Sequence, residues 1–249
     1  MDLAAIIIFL SIVAFAAVTQ TVTGFAMGLI IVALSTALGI MTILEVTAII
    51  SIISLVNIVL VLRGSVARIN KSLLGLIALG LVPGLMLGFI WLDEFAGVWQ
   101  AGLKMLLGIM VMTAGLSMML RPAAWPRPSG GAVTVATGFL GGVFGGLYSA
   151  AGAPIAYLTY RQPLEIQVIR STLLAVFFLS TSLRAGIGTV YGHFTETVLL
   201  QTVLALPLVM AISIALKPAL QRLPEAWVRR WVFLVLQTVG LWLIIQPLL

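Results

Sequence analysis

No cysteine occurs among the 249 residues, which excludes disulfides and thiolate metal sites. One histidine, His193, leaves no histidine-rich metal centre, so zinc hydrolysis and thiol redox chemistry drop out together. Charge is scarce too. Asp, Glu, Lys and Arg make up 8% of the chain, whereas soluble domains carry about a quarter. With 62% hydrophobic residues, a soluble core could not absorb the apolar side chains. The net charge of +6 does not point to nucleic acid, which needs basic residues clustered on a soluble face. Most of the 13 Lys and Arg instead stand between apolar runs, as membrane topology demands. Asp2 stands where a secretory signal would carry Lys or Arg, so the first residues read as part of the mature chain.

What is present is a series of apolar runs, and about 20 such residues carry one helix across a bilayer. Six runs predict complete spans: 42–62, 72–91, 99–120, 167–189, 195–216 and 228–247. Two further apolar regions, 3–40 and 131–160, are interrupted by small and polar residues. The interruptions read QTVTGF at 20–25 and GGLYSAAGAP at 145–154. Each region is either one kinked span or a hairpin that enters and leaves on the same side.

The distribution of Lys and Arg chooses between these readings, because cytoplasmic loops carry the excess. Two hairpins put 11 basic residues inside, among them Arg63, Arg121, Arg170 and Arg222, and leave only Lys104 and Arg184 outside. Two single crossings give 6 against 7, which is no bias. Hairpins with both chain ends outside are therefore expected.

The halves also match each other at an offset of about 121 residues, pairing Gly24 with Gly145, Gly28 with Ser149 and Arg63 with Arg184. An odd number of crossings after each hairpin turns the second copy upside down. The expected fold is an all-α polytopic membrane protein of two inverted repeats, each a broken helical hairpin followed by three transmembrane helices. The repeats divide at 1–122 and 123–249, an architecture common among secondary transporters.

Non-helical backbone at membrane depth lies in protein or along a wet cavity, so the breaks are the candidate binding site. In the first, Gln20, Thr21 and Thr23 offer hydrogen bonds, and Gly24 and Phe25 complete the break. In the second, Tyr148 and Ser149 supply hydroxyls, while Gly152 and Pro154 interrupt the helix. The helix resuming after each break presents free N–H groups and a partial positive charge, which suits an anion. Against this stands close packing, since Gly138, Gly142 and Gly146 recur every four residues as in packed membrane helices.

The segment GFLGGVFGGLYSAAGAPIAYLTY, followed by VIRSTLLAVFF, resembles the second-half signature of the TauE/SafE sulfite exporter family. TVTGFAMGLIIVAL resembles its first-half counterpart. The likeness runs along essentially the whole chain, though Gly-Phe-Ala and Tyr-Ser-Ala replace the glycine triplets frequent in that family. It implies export of sulfite, an organosulfonate or a related sulfur-containing or carboxylate anion across the bacterial cytoplasmic membrane, with no cofactor, no metal and no nucleic acid.

Arg170, Thr181 and Arg184 recur along one helical face; Arg170 and Thr181 are assigned to the anion path, whereas Lys104 and Arg184 read as snorkelling to the interface. Thr47, Ser51, Ser54 and Asn57 form a polar stripe, either cavity lining or glue between helices. Glu45, Glu165 and Glu196 sit near span ends, leaving no deep carboxylate to relay protons. Movement driven by membrane potential or by a proton on the substrate is expected, with coupling to sodium left open. His193 reads as a surface loop residue, and the six tryptophans as interfacial anchors. The alternatives are a structural subunit of a larger membrane complex and an intramembrane enzyme. The latter lacks a nucleophile paired with histidine and lacks paired intramembrane aspartates.

Overall fold

A computed structural model describes residues 3–23, 26–62, 66–120, 124–215 and 224–249. All elements among them are helical. The first half comprises α1 (Leu3–Thr23), α2 (Met27–Ala37), α3 (Ile43–Leu62), α4 (Lys71–Phe95) and α5 (Gln100–Leu120). The second comprises α6 (Gly131–Tyr148), α7 (Gly152–Tyr160), α8 (Ile166–Val190), α9 (Glu196–Met210) and α10 (Glu225–Ile245). A π-helical turn, Ala211–Ala215, prolongs α9.

Eight of these helices are long and apolar enough to cross a membrane: α1, α3, α4, α5, α6, α8, α9 with its π turn, and α10. The six expected spans fall on α3, α4, α5, α8, α9 and α10. Each broken region pairs one full-length arm with a short one. At 11 and 9 residues, α2 and α7 reach only about half of a bilayer.

Several starts are fixed by the side chains beside them. Thr42 and Glu45 form a reciprocal capping box at α3: the Glu45 amide donates to Thr42 Oγ1 at 3.3 Å, and the Thr42 amide donates to Glu45 Oε2 at 3.0 Å. At α4 the Leu73 amide donates to Asn70 Oδ1 at 3.0 Å. Such caps satisfy amides that the helix itself cannot.

The second hairpin closes because α6 has no side chain where α7 runs back along it. A Cβ on Gly145 would lie 3.1 Å from that of Ala151, and one on Gly141 would lie 2.5 Å from Ile155 Cδ1. The two ends meet: the Trp125 amide donates to the Arg161 carbonyl at 2.7 Å, and the Ser129 amide to Gln162 Oε1 at 3.1 Å. Entry to α6 and exit from α7 thus share one end of the bundle.

The other face of α6 packs on α4, backbone against backbone. A Cβ on Gly142 would lie 2.3 Å from the Leu81 carbonyl oxygen, and one on Gly84 would lie 2.2 Å from that of Phe139. For Gly138, Gly142 and Gly146 the packing role is thereby realised.

Some helix contacts correspond when the first five helices are exchanged for the last five, while others, such as α2 with α5 and α1 with α10, have no counterpart of comparable extent among the described residues. Helix α4 packs on α6 as α9 packs on α1, α9 on α3 as α4 on α8, and α10 on α2 as α5 on α7. Two contacts map onto themselves, α3 with α8 and α5 with α10. The starts of α2 and α7, of α4 and α9, and of α5 and α10 are each 125 residues apart, slightly more than the sequence offset suggests.

The two ends of the bundle differ in charge. Arg68, Lys71, Arg127, Arg161 and Arg170 cluster with the starts of α4, α6 and α8, where Arg68 donates to Gln167. The opposite end carries Glu45, Asp93, Glu94 and Glu196, with Lys104 hydrogen-bonded to Gln246 at 3.5 Å.

Candidate functional site

Between the hairpins lies a cavity of about 60 Å³. Its walls come from both breaks, Ala26–Leu29 and Ser149–Ala153, with Gln20, Ser54, Ile58, Phe177, Ser180 and Thr181 around them. At about 10–15 Å³ for each water-sized group, it has room for about four to six of them, the scale of one small oxyanion.

Both breaks turn through a left-handed residue. Ala26 has φ 83° and Ser149 φ 52°, a conformation that costs a non-glycine residue about 1–2 kcal/mol. Those turns let α2 and α7 begin at the cavity. The first amides of each helix have no intrahelical carbonyl to meet, and the two positive helix ends converge on one small space. A Cβ on Gly28 would lie 2.8 Å from the Ser149 carbonyl oxygen, so glycine is what allows the tips to touch.

Of the residues singled out by sequence, Gln20, Ser149, Gly152 and Thr181 line this cavity. Gln20 Oε1 is buried and has no hydrogen-bond partner among the described residues. Thr181 spends its proton on the Phe177 carbonyl at 2.8 Å, leaving its lone pairs as acceptors. Thr21 donates to the Ala17 carbonyl at 2.8 Å and stands outside the lining, and Tyr148 is fully buried with its hydroxyl on the Leu103 carbonyl, also at 2.8 Å. Gly24, Phe25 and the side chain of Thr23 lie outside the described residues.

Arg170 is exposed one turn into α8, at the basic end of the bundle, away from the cavity. No charged side chain is among the described residues that line the cavity. The polar stripe on α3 divides: Ser54 faces the cavity, Ser51 lies 3.1 Å from the Ser149 hydroxyl, and Asn57 is buried with Oδ1 unpartnered.

Arg184 overturns the snorkelling expectation. Only 3% exposed, it donates to the Gly146 carbonyl and to Thr47 Oγ1, and its guanidinium lies 5.3 Å from the centre of the Phe89 ring. No carboxylate pairs with it among the described residues, and burying a cation unpaired costs several kcal/mol. Here the negative end of α6 offsets part of that cost, and the aromatic face contributes up to about 2 kcal/mol. Sequence reasoning missed this residue because nothing local distinguishes an arginine near a span end that reaches outward from one that reaches inward.

His193 is likewise not a surface residue. It is 8% exposed, stacks on Phe89 with centroids 5.0 Å apart, and its Nε2 lies 2.7 Å from Asp93 Oδ1. The signal that could have found it is the apolar run of α4 ending on an aspartate.

Eight helices long and apolar enough to cross a membrane, around a small cavity, define the class: a polytopic helical membrane protein. The chain matches the sulfite exporter TauE/SafE family over residues 9–243 and belongs to it. A relative in Cupriavidus necator (strain ATCC 17699 / DSM 428 / KCTC 22496 / NCIMB 10442 / H16 / Stanier 337) bears the description probable sulfite/organosulfonate exporter TauE. It is 29% identical over 221 residues, covering 89% of this chain and 86% of the relative. No solved structure matches the chain.

Proposed function

We propose that the chain exports sulfite, an organosulfonate or a similarly small sulfur-containing or carboxylate anion across the bacterial cytoplasmic membrane by alternating access. In this reading the halves are inverted repeats whose hairpins are re-entrant, and the anion sits between the hairpin tips. The observation that carries it is the convergence of two helix starts, Met27–Leu29 and Gly152–Ala153, on a cavity of oxyanion size. Recognition by backbone amides and neutral hydroxyls, without a lysine or arginine among the described wall residues, suits an anion that must also leave. The acceptor at Thr181 suits a substrate carrying a proton, which would move that proton with it.

Purified protein in liposomes tests this reading. Radiolabelled sulfite or a short sulfonate should move down an imposed gradient, saturably and in competition with one another. Folded protein that moves neither would overturn the assignment of substrate class.

A further inference from the structure

The layer of contacts beside the cavity implies more than a binding site. Along α3, Thr47 and Ser51 precede the cavity residues Ser54 and Ile58; along α8, which packs on α3, Arg184 follows the cavity residues Phe177, Ser180 and Thr181. Both sequences put Thr47 and Arg184 on the acidic-end side of the cavity. There the tip of the second hairpin is tied to α3, α8 and α5. Ser149 donates to the Thr47 carbonyl, Arg184 to the Gly146 carbonyl and Thr47 Oγ1, and Tyr148 to the Leu103 carbonyl on α5.

Leu103 also lines a second cavity, of about 560 Å³, at the acidic end. Its walls include Thr36, Gln100, Glu45 and Lys104. The Glu45 carboxylate is held in its capping box by Thr42. Among the described residues, the hydrogen bond of Lys104 is a long one, 3.5 Å to Gln246 Oε1. Lys104 therefore lines this space beside the Glu45 carboxylate, and the tip reaches its wall through the bond from Tyr148 to the Leu103 carbonyl.

We infer that Arg184 is a positioning residue that holds the Gly146–Ser149 tip as the partition between the substrate cavity and the acidic-end vestibule that Lys104 lines. It rests on the transport reading given above. Anion passage to the acidic end requires the Arg184 bonds to break, and the unpartnered Arg184 Nε marks a side chain not fully satisfied in this closed arrangement. Phe89, backed by the His193 and Asp93 pair, forms the surface on which the guanidinium rests.

The absence of cysteine makes the test direct. Thr181→Cys places one thiol in the substrate cavity, and an impermeant thiol reagent is applied from either side of oriented vesicles. With Arg184 intact, reaction from the acidic end should be at least about tenfold slower than from the basic end. Arg184→Gln should raise the acidic-end rate about tenfold and leave the basic-end rate within twofold, which also reports that the fold is intact. Arg184→Lys should fall between the two. In the same vesicles, Lys104→Gln should raise the apparent KM for sulfite presented at the acidic end and leave the basic-end KM unchanged. Equal rates from both sides in the parent, or no change with Arg184→Gln at an unchanged basic-end rate, would overturn the partition. Because the thiol readout needs no substrate, the partition and the transport reading fail separately.

Discussion

The hydroxyl of Ser149 donates a 2.8 Å hydrogen bond to the carbonyl of Thr47, joining the tip of the second hairpin to α3 of the first half across 102 residues. That bond links the halves at the wall of the cavity. It makes Ser149 both a lining residue and a fastening. Ser149→Ala keeps the volume and loses the fastening, while Ser51 still donates to the same carbonyl at 2.7 Å. The expected cost in stability is about 0.5–1.5 kcal/mol. Transport should show a several-fold rise in KM; thermal unfolding and initial-rate measurements on one preparation check both.

Gly28 permits the two tips to touch. In Gly28→Ala the new methyl would stand 2.8 Å from the Ser149 carbonyl oxygen and 3.1 Å from Ile50 Cγ2. The tips must separate, at about 1–3 kcal/mol. Transport should fall at least tenfold while the protein still purifies. Gly75→Ala is the comparison, because nothing lies within 4 Å of its added carbon; there activity should hold and stability rise by up to about 1 kcal/mol.

The α4–α6 seam should be far less forgiving. Gly142→Ala drives a methyl to 2.3 Å from the Leu81 carbonyl oxygen and 2.8 Å from the Leu85 amide, both backbone atoms in the partner helix. A loss of about 3 kcal/mol or more is expected. Yield of monodisperse protein in detergent is the measurement, and wild-type yield would contradict the packing role.

The length of the apolar runs made the spans legible, because lipid permits only helices of one minimum length. Expected 42–62 and 99–120 became Ile43–Leu62 and Gln100–Leu120. The interruption at 145–154 was legible as well, but the turn itself falls on Ser149–Ala151: Gly145 and Gly146 lie within α6, and Gly152 and Pro154 open α7 rather than interrupt a helix. In the first region α1 runs on to Thr23, so Gln20, Thr21 and Thr23 lie on the helix that approaches the break. Side-chain direction was not legible. Arg170 and Arg184 share a helical stripe on paper, yet one ends exposed at the basic end and the other buried against Gly146. Which partner helix covers a stripe is a tertiary fact, and α4, supplying Phe89, lies about 95 residues upstream.

The Asp93–His193 pair fastens the end of α4 to the loop between α8 and α9. Asp93 is 30% exposed at its side chain, so solvent screens the contact and Asp93→Asn should cost only about 1 kcal/mol. Hydrogen exchange should quicken in residues 190–195 and remain unchanged at Ser129–Thr134, at the opposite end. Uniform exchange changes would contradict a local fastening.

The central claim is that one anion sits between the two hairpin tips. A crystal of the protein soaked in selenite, whose anomalous scattering locates the anion directly, tests it. The account predicts a single strong peak within hydrogen-bonding distance of the amides of Met27–Leu29 and Gly152–Ala153. A strong peak at Arg170, with none between the tips at saturating selenite, would contradict it.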